Sequence, residues 1–99
     1  MSDLISLDTV IVRRDNLLTS ELSETELALL NVERVLYYGM DETAKAVWDY
    51  LDKPRSIVAV CDYLLTQFAV DRETCERETL AFINDAIKDD LVYVVNNAS

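Results

Sequence analysis

The stretch VLYYGMDETAKAVWDYL, residues Val35 to Leu51, decides how the rest of the chain is read. Its opening, through Tyr37 and Tyr38, is apolar, aromatic and uncharged, the composition of a strand on a half-buried sheet. The continuation changes period. Ala44, Val47, Trp48 and Leu51 recur at the spacing that builds one apolar helix face, and Asp41 stands where an N-cap belongs. A strand that passes directly into a helix predicts a mixed α+β domain.

Downstream, DKPRS interrupts the helical pattern, because Pro54 cannot continue a helix and disfavours helical geometry at Lys53. A second helix is expected with Ser56 as its cap, since Ile57, Val60, Cys61, Leu64 and Phe68 form a stripe with Leu65 beside it. A third starts at Asp71. Its apolar positions, Cys75, Leu80, Phe82, Ile83, Ala86 and Ile87, cover a wider arc than one core contact requires. After KDD, the run LVYVV reads as a short extended tail that packs back onto the body. Upstream, ELALLNVERVLYYGM holds two apolar runs around a polar turn at Val32, Glu33 and Arg34, the pattern of a hairpin. TVIVRRDNLLTSEL offers one further strand, either Val10 to Arg13 or Leu17 to Leu22. The order is two or three strands, then three helices, with flexibility expected only in the first few residues and in NNAS.

Composition narrows the function. A chain of 99 residues that is 51% hydrophobic has material for one compact core. No basic segment precedes an apolar run at the start, and runs such as SIVAVCDYLL are too short and too broken by charge to span a bilayer, so a soluble, cytoplasmic protein is expected. The net charge of −10 repels phosphate backbones and anionic membranes and favours basic partners. Cys61 and Cys75 form no CxxC and have no histidine near them, which fits two reduced, buried thiols.

Several chemistries are excluded. There is no histidine to serve as a base for a nucleophile, and the lone glycine, Gly39, cannot make a glycine-rich phosphate loop. Carboxylate pairs such as Asp89 with Asp90 or Glu73 with Glu76 fall on polar helix faces or ends, where solvated charge is the ordinary explanation, so no metal and no catalytic residues are assigned. Tyr50 and Tyr63 lie within helices and read as packing residues. Tyr37 and Tyr38, adjacent on a strand, point to opposite faces.

The succession of a strand pair running into YYGMDETAKAVWDYLD, then PRSIVAVCDYLLTQFAVDRETCERETLAFINDAIKDDLV, resembles the PqqD-like family of peptide-binding domains, the recognition elements of RiPP biosynthesis. The resemblance runs from about Leu17 to Val95. Its carriers are the Tyr-Gly-Met step, the helix with Trp48 and Leu51, the AVDRE link and the DDLV turn. It departs from the family in the turn, NVER, where glycine is common, and at Asp41, where asparagine often stands. It sets a domain at residues 17–95, with an N-terminal segment at 1–16 that can hold a strand and a flexible tail at 96–99.

The resemblance implies a small winged-helix-like fold, a three-stranded antiparallel sheet followed by three helices. It also implies a function: the leader segment of a precursor peptide adds as a strand to the third sheet strand, in a cleft bordered by the third helix. The domain then performs no chemistry and needs no cofactor. It hands the precursor to a modifying enzyme or leader peptidase, in pathways that include lasso peptides and a quinone cofactor. Strand addition asks for an open edge, apolar pockets and complementary charge. Val35, Leu36, Tyr37 and Tyr38 would supply the edge, with no proline or lysine to blunt it.

On the third helix, Leu80, Ile83 and Ile87 can face the core while Cys75, Thr79, Phe82 and Ala86 border the cleft, or the reverse. Asp71, Glu73, Glu76 and Glu78 would form an acidic rim, and Arg72 and Arg77 could meet an acidic peptide side chain. The candidate binding residues are therefore the four of the edge with Arg72, Cys75, Glu76, Thr79, Leu80, Phe82 and Ile83. Two rivals stand beside this reading. A self-associating adaptor could pair the same edge with a copy of itself, which leaves a monomer or a weak homodimer open. A winged-helix transcription regulator is disfavoured by the acid on the third helix, and binding to nucleic acid or membrane is not expected.

Overall fold

The computed structural model describes residues 5–15, 17–31 and 36–95. Along the chain it holds β1 (Val10–Arg13), β2 (Leu18–Glu21), β3 (Leu27–Asn31), β4 (Leu36–Met40), α1 (Glu42–Tyr50), β5 (Arg55–Ser56), α2 (Ile57–Gln67), α3 (Arg72–Lys88) and β6 (Val92–Val94). The turn expected at Val32, Glu33 and Arg34, the first few residues and the NNAS tail lie outside the described residues.

The strands form two sheets. One is the expected three-stranded antiparallel meander, β2-β3-β4, which leads into the helices. On its central strand Leu27, Ala28 and Leu29 are all buried, whereas Leu30 stands exposed opposite Leu18. The second sheet, β5-β1-β6, has no counterpart in the sequence reading. It answers the choice left open upstream, because both candidate segments are strands, and they belong to different sheets. β1 pairs with β6 through Ile11↔Val94, Val12↔Tyr93 and Arg13↔Val92, so the LVYVV tail does pack back on the body.

Each helix starts on the expected cap. Asp41 Oδ1 accepts from the Ala44 N–H at 3.0 Å, Ser56 Oγ from Ala59 at 3.2 Å and Asp71 Oδ2 from Thr74 at 2.9 Å. The link from α1 to α2 is held by a stack. The Tyr50 and Tyr63 rings lie 4.3 Å apart and 2° from parallel. The Arg55 guanidinium covers the other face of Tyr50 at 4.0 Å, while its Nε donates to the Tyr50 carbonyl at 2.6 Å.

α3 ends in a left-handed residue, Asp90, with φ of 62°. The Asp90 N–H bonds the Ile87 carbonyl at 3.1 Å and the Leu91 N–H bonds that of Ala86 at 2.9 Å, the paired bonds of a Schellman cap. Leu91 and Ala86 are both buried, so the cap is sealed by apolar packing. The core gathers Ile11, Leu29, Leu51, Ile57, Val60 and Ile83, all fully buried, from both sheets and all three helices. A sheet is thereby clamped on one side of the helices, with its last strand at an open border.

Candidate functional site

β4 hydrogen-bonds to β3 along one side and, among the described residues, carries no strand along the other. It contains neither proline nor lysine. Tyr38 and Met40 of β4 pack against the core. Gly39 between them is exposed.

Beside this border lies a groove of about 500 Å³. One wall is Gly39 with the start of α1, namely Asp41, Thr43, Ala44 and Val47. α3 lines the groove through Cys75, Glu78, Thr79 and Phe82, and Leu64, Phe68 and Val70 complete the lining. The wall residues follow from helical period. On α3 the buried face is Cys75, Thr79, Ile83 and Ala86, and the groove meets that face at Cys75 and Thr79, with half-buried Phe82 beside them. α2 stops at Gln67, and Phe68 takes extended backbone at φ −133°, ψ 149°, where it joins the groove lining.

The floor is apolar and the charge is acid: Asp41 and Glu78 are the charged residues of the lining. Asp41 spends one carboxylate oxygen on the helix cap. The thiols sit beneath. Cys75 Sγ lies 3.9 Å from the Cys61 carbonyl oxygen and 3.9 Å from Thr79 Oγ1. Burial raises the Cys61 thiol above its ordinary pKa, so it stays protonated and poorly nucleophilic at neutral pH. Both cysteines are free and buried. Among the described residues no cluster of three or more Cys, Asp or Glu could hold a metal ion, and no helix is long and apolar enough to cross a membrane.

Of the residues singled out from sequence, Cys75, Thr79 and Phe82 meet in the groove. Five others, Tyr38, Arg72, Glu76, Leu80 and Ile83, do not line it. Ile83 belongs to the core, and Leu80 packs against that core half-buried. Arg72 is engaged elsewhere: its guanidinium holds Asp62 of α2 and, at 3.0 Å, Glu76 one turn along α3, so both Arg72 and Glu76 serve an α2–α3 tie. Tyr38 sits on the edge strand with its ring against the core. Leu36 and Tyr37 contribute backbone to β4, and their side chains, like the whole of Val35, lie outside the described residues.

Gly39, Asp41, Thr43, Phe68 and Val70 were not among the residues singled out, whereas Glu78, read as part of an acidic rim, does line the groove. One signal pointed to part of this set. Val70 precedes the Asp71 cap and Cys75 follows it by four, the spacing of a hydrophobic staple, and both line the groove.

Comparison with known proteins gives two matches. The model of a family described as coenzyme PQQ synthesis protein D (PqqD) matches residues 26–92. A solved structure, described as TbiB1 in complex with the TbiA(beta) leader peptide, is similar with a TM-score of 0.73 and 22% sequence identity, over 89% of this chain and 99% of that one. No curated protein matches.

Proposed function

This chain belongs to the PqqD family, and on that premise we propose that it binds the leader segment of a ribosomally made precursor peptide by strand addition to β4. It acts as an adaptor, not a catalyst, and presents the bound precursor to a modifying enzyme or leader peptidase. The observation that carries the reading is the coincidence, among the described residues, of an unpaired strand border with a largely apolar groove that reaches it at Gly39. That the similar solved structure is a leader-peptide complex supports it.

The physics divides the work. Main-chain bonds to β4 give affinity that depends little on sequence, each worth a net ~0.5–1.5 kcal/mol. Alternate peptide side chains enter the groove, where Val47, Leu64, Phe68 and Phe82 offer apolar contact. Asp41 and Glu78 favour a peptide that carries Lys or Arg near those side chains, and the net charge of −10 speeds its approach. This assigns Cys75, Thr79 and Phe82 to the binding site with the β4 backbone from Leu36 to Met40.

The test is a titration of the ¹⁵N-labelled protein with synthetic N-terminal halves of short precursors encoded beside it. Amide shifts confined to β4, the start of α1 and α3 are expected. Shifts that depend on protein concentration but not on peptide would replace the reading with self-pairing of β4 between two copies.

A further inference from the structure

Gly39 is the single glycine of the chain, and none of the internal reasons for a strand glycine applies to it. Its φ is not positive, so no left-handed conformation requires it. The β3–β4 register runs unbroken through it, with Ala28 opposite, so it marks no bulge. Among the described residues a Cβ built there would meet nothing within 4 Å, so none of them uses the space. A glycine inside a strand is nonetheless destabilising, because it orders a freer backbone and offers no side chain to pack. The fold would be better served by almost any other residue.

What remains is close approach by another chain, and Gly39 is placed for it: exposed, on the open border strand, and on the wall of the groove. Resting on the reading that a peptide strand adds to β4, we propose that Gly39 is the clearance position of that site, against which the bound strand sets one bulky apolar side chain. Strand alternation fixes where this happens. Tyr38 and Met40 point to the core, so the missing Cβ of Gly39 lies on the other face of the sheet. Bound-peptide residues alternate likewise, one set entering the groove and the other lying on that outer face. The outer-face residue beside Gly39 meets the hollow left by the missing Cβ, with Ala28, small and itself buried, across the strand pair. A flat aromatic ring fits such a hollow best and restores contacts that the glycine forgoes. The site thus reads two features of a leader: side chains in the groove, and a ring outside it.

The experiment uses the whole chain and a fluorescein-labelled leader segment, chosen as the synthetic N-terminal half of a neighbouring precursor that binds the wild type, followed by anisotropy. Gly39→Ala is expected to raise Tm by about 2–6 °C while weakening binding about fivefold, and Gly39→Val to weaken it about fiftyfold. Ser20→Ala, on the far strand of the same sheet, leaves binding unchanged. Truncating the peptide's ring residue to alanine lowers affinity for the wild type but recovers binding to the Gly39→Val protein. Folded variants that bind as tightly as wild type overturn the clearance role and leave the strand-addition reading standing. Weakened binding that no truncated peptide recovers also overturns it. If no leader segment binds the wild type, the strand-addition reading fails and this inference with it.

Discussion

Asp90 is the place to test whether local backbone strain governs the stability of this domain. It occupies the left-handed position of the α3 cap, with φ of 62°, where glycine is the unstrained choice. A left-handed residue with a Cβ costs ~1–2 kcal/mol, partly recovered because such a residue has less freedom to lose on folding. Asp90 also faces Arg14 at 3.6 Å, but side chains 51% and 38% exposed make a pair worth at most ~0.5 kcal/mol.

Comparing Asp90→Gly with Asp90→Ala removes that pair from both sides of the difference, so what remains is the backbone. The glycine variant should exceed the alanine variant by about 1 kcal/mol, or roughly 4–8 °C in Tm for a domain of this size. The aspartate protein should fall between them. Thermal unfolding by circular dichroism, with urea midpoints at constant m, measures the gap. An alanine variant as stable as the glycine variant would refute the reasoning, since the Schellman bonds would then be kept without strain.

Phe82→Ala should weaken leader binding about tenfold at little cost in Tm, whereas Ile83→Ala, one residue on but fully buried, should cost ~2–5 kcal/mol in urea unfolding; equal effects on both properties would mean that Phe82 and Ile83 are not separated as described. Tyr63→Ala unstacks Tyr50 and loosens the α1–α2 link, which should lower stability by ~1–2 kcal/mol, and Arg55→Ala should repeat part of that loss through the same ring. The backbone bond from Thr74 holds the Asp71 carboxyl below its usual pKa. A depressed folded pKa gives stability that is full above the unfolded carboxylate value and lost as pH falls through the folded one. Asp71→Asn should therefore flatten the acid limb of a Tm–pH curve below about pH 4, and an unchanged limb would remove Asp71 from the acid sensitivity.

The helices were legible because their signals are local. Asp41, Ser56 and Asp71 each precede an apolar stripe, and Pro54 punctuates the first pair. The strands before them were less so. Val10–Arg13 and Leu18–Glu21 are both short, and each is settled by a distant partner, β6 in one case and β3 in the other, which no period can reveal. The breadth of the apolar arc on α3 announced more than one contact, but not that Cys75 and Thr79 would share the buried face with Ile83 and Ala86 while also lining the groove. Arg72 and Glu76 looked available because Asp62, which Arg72 holds together with Glu76, sits ten residues upstream of Arg72 on another helix. Gly39 was visible as the only glycine, but its meaning depends on the empty space around it, which is a property of the folded chain alone.

The pairing of β1 with β6 brings the two ends of the domain to one point: the Val95 N–H donates to the Val10 carbonyl at 2.8 Å. Among the described strands the first and the last therefore lie side by side, one hydrogen bond apart. A domain built this way is portable. It can be grafted into a surface loop of a carrier with little spreading of the loop's ends, and the groove between α3, the start of α1 and Gly39 of the other sheet would travel with it unaltered.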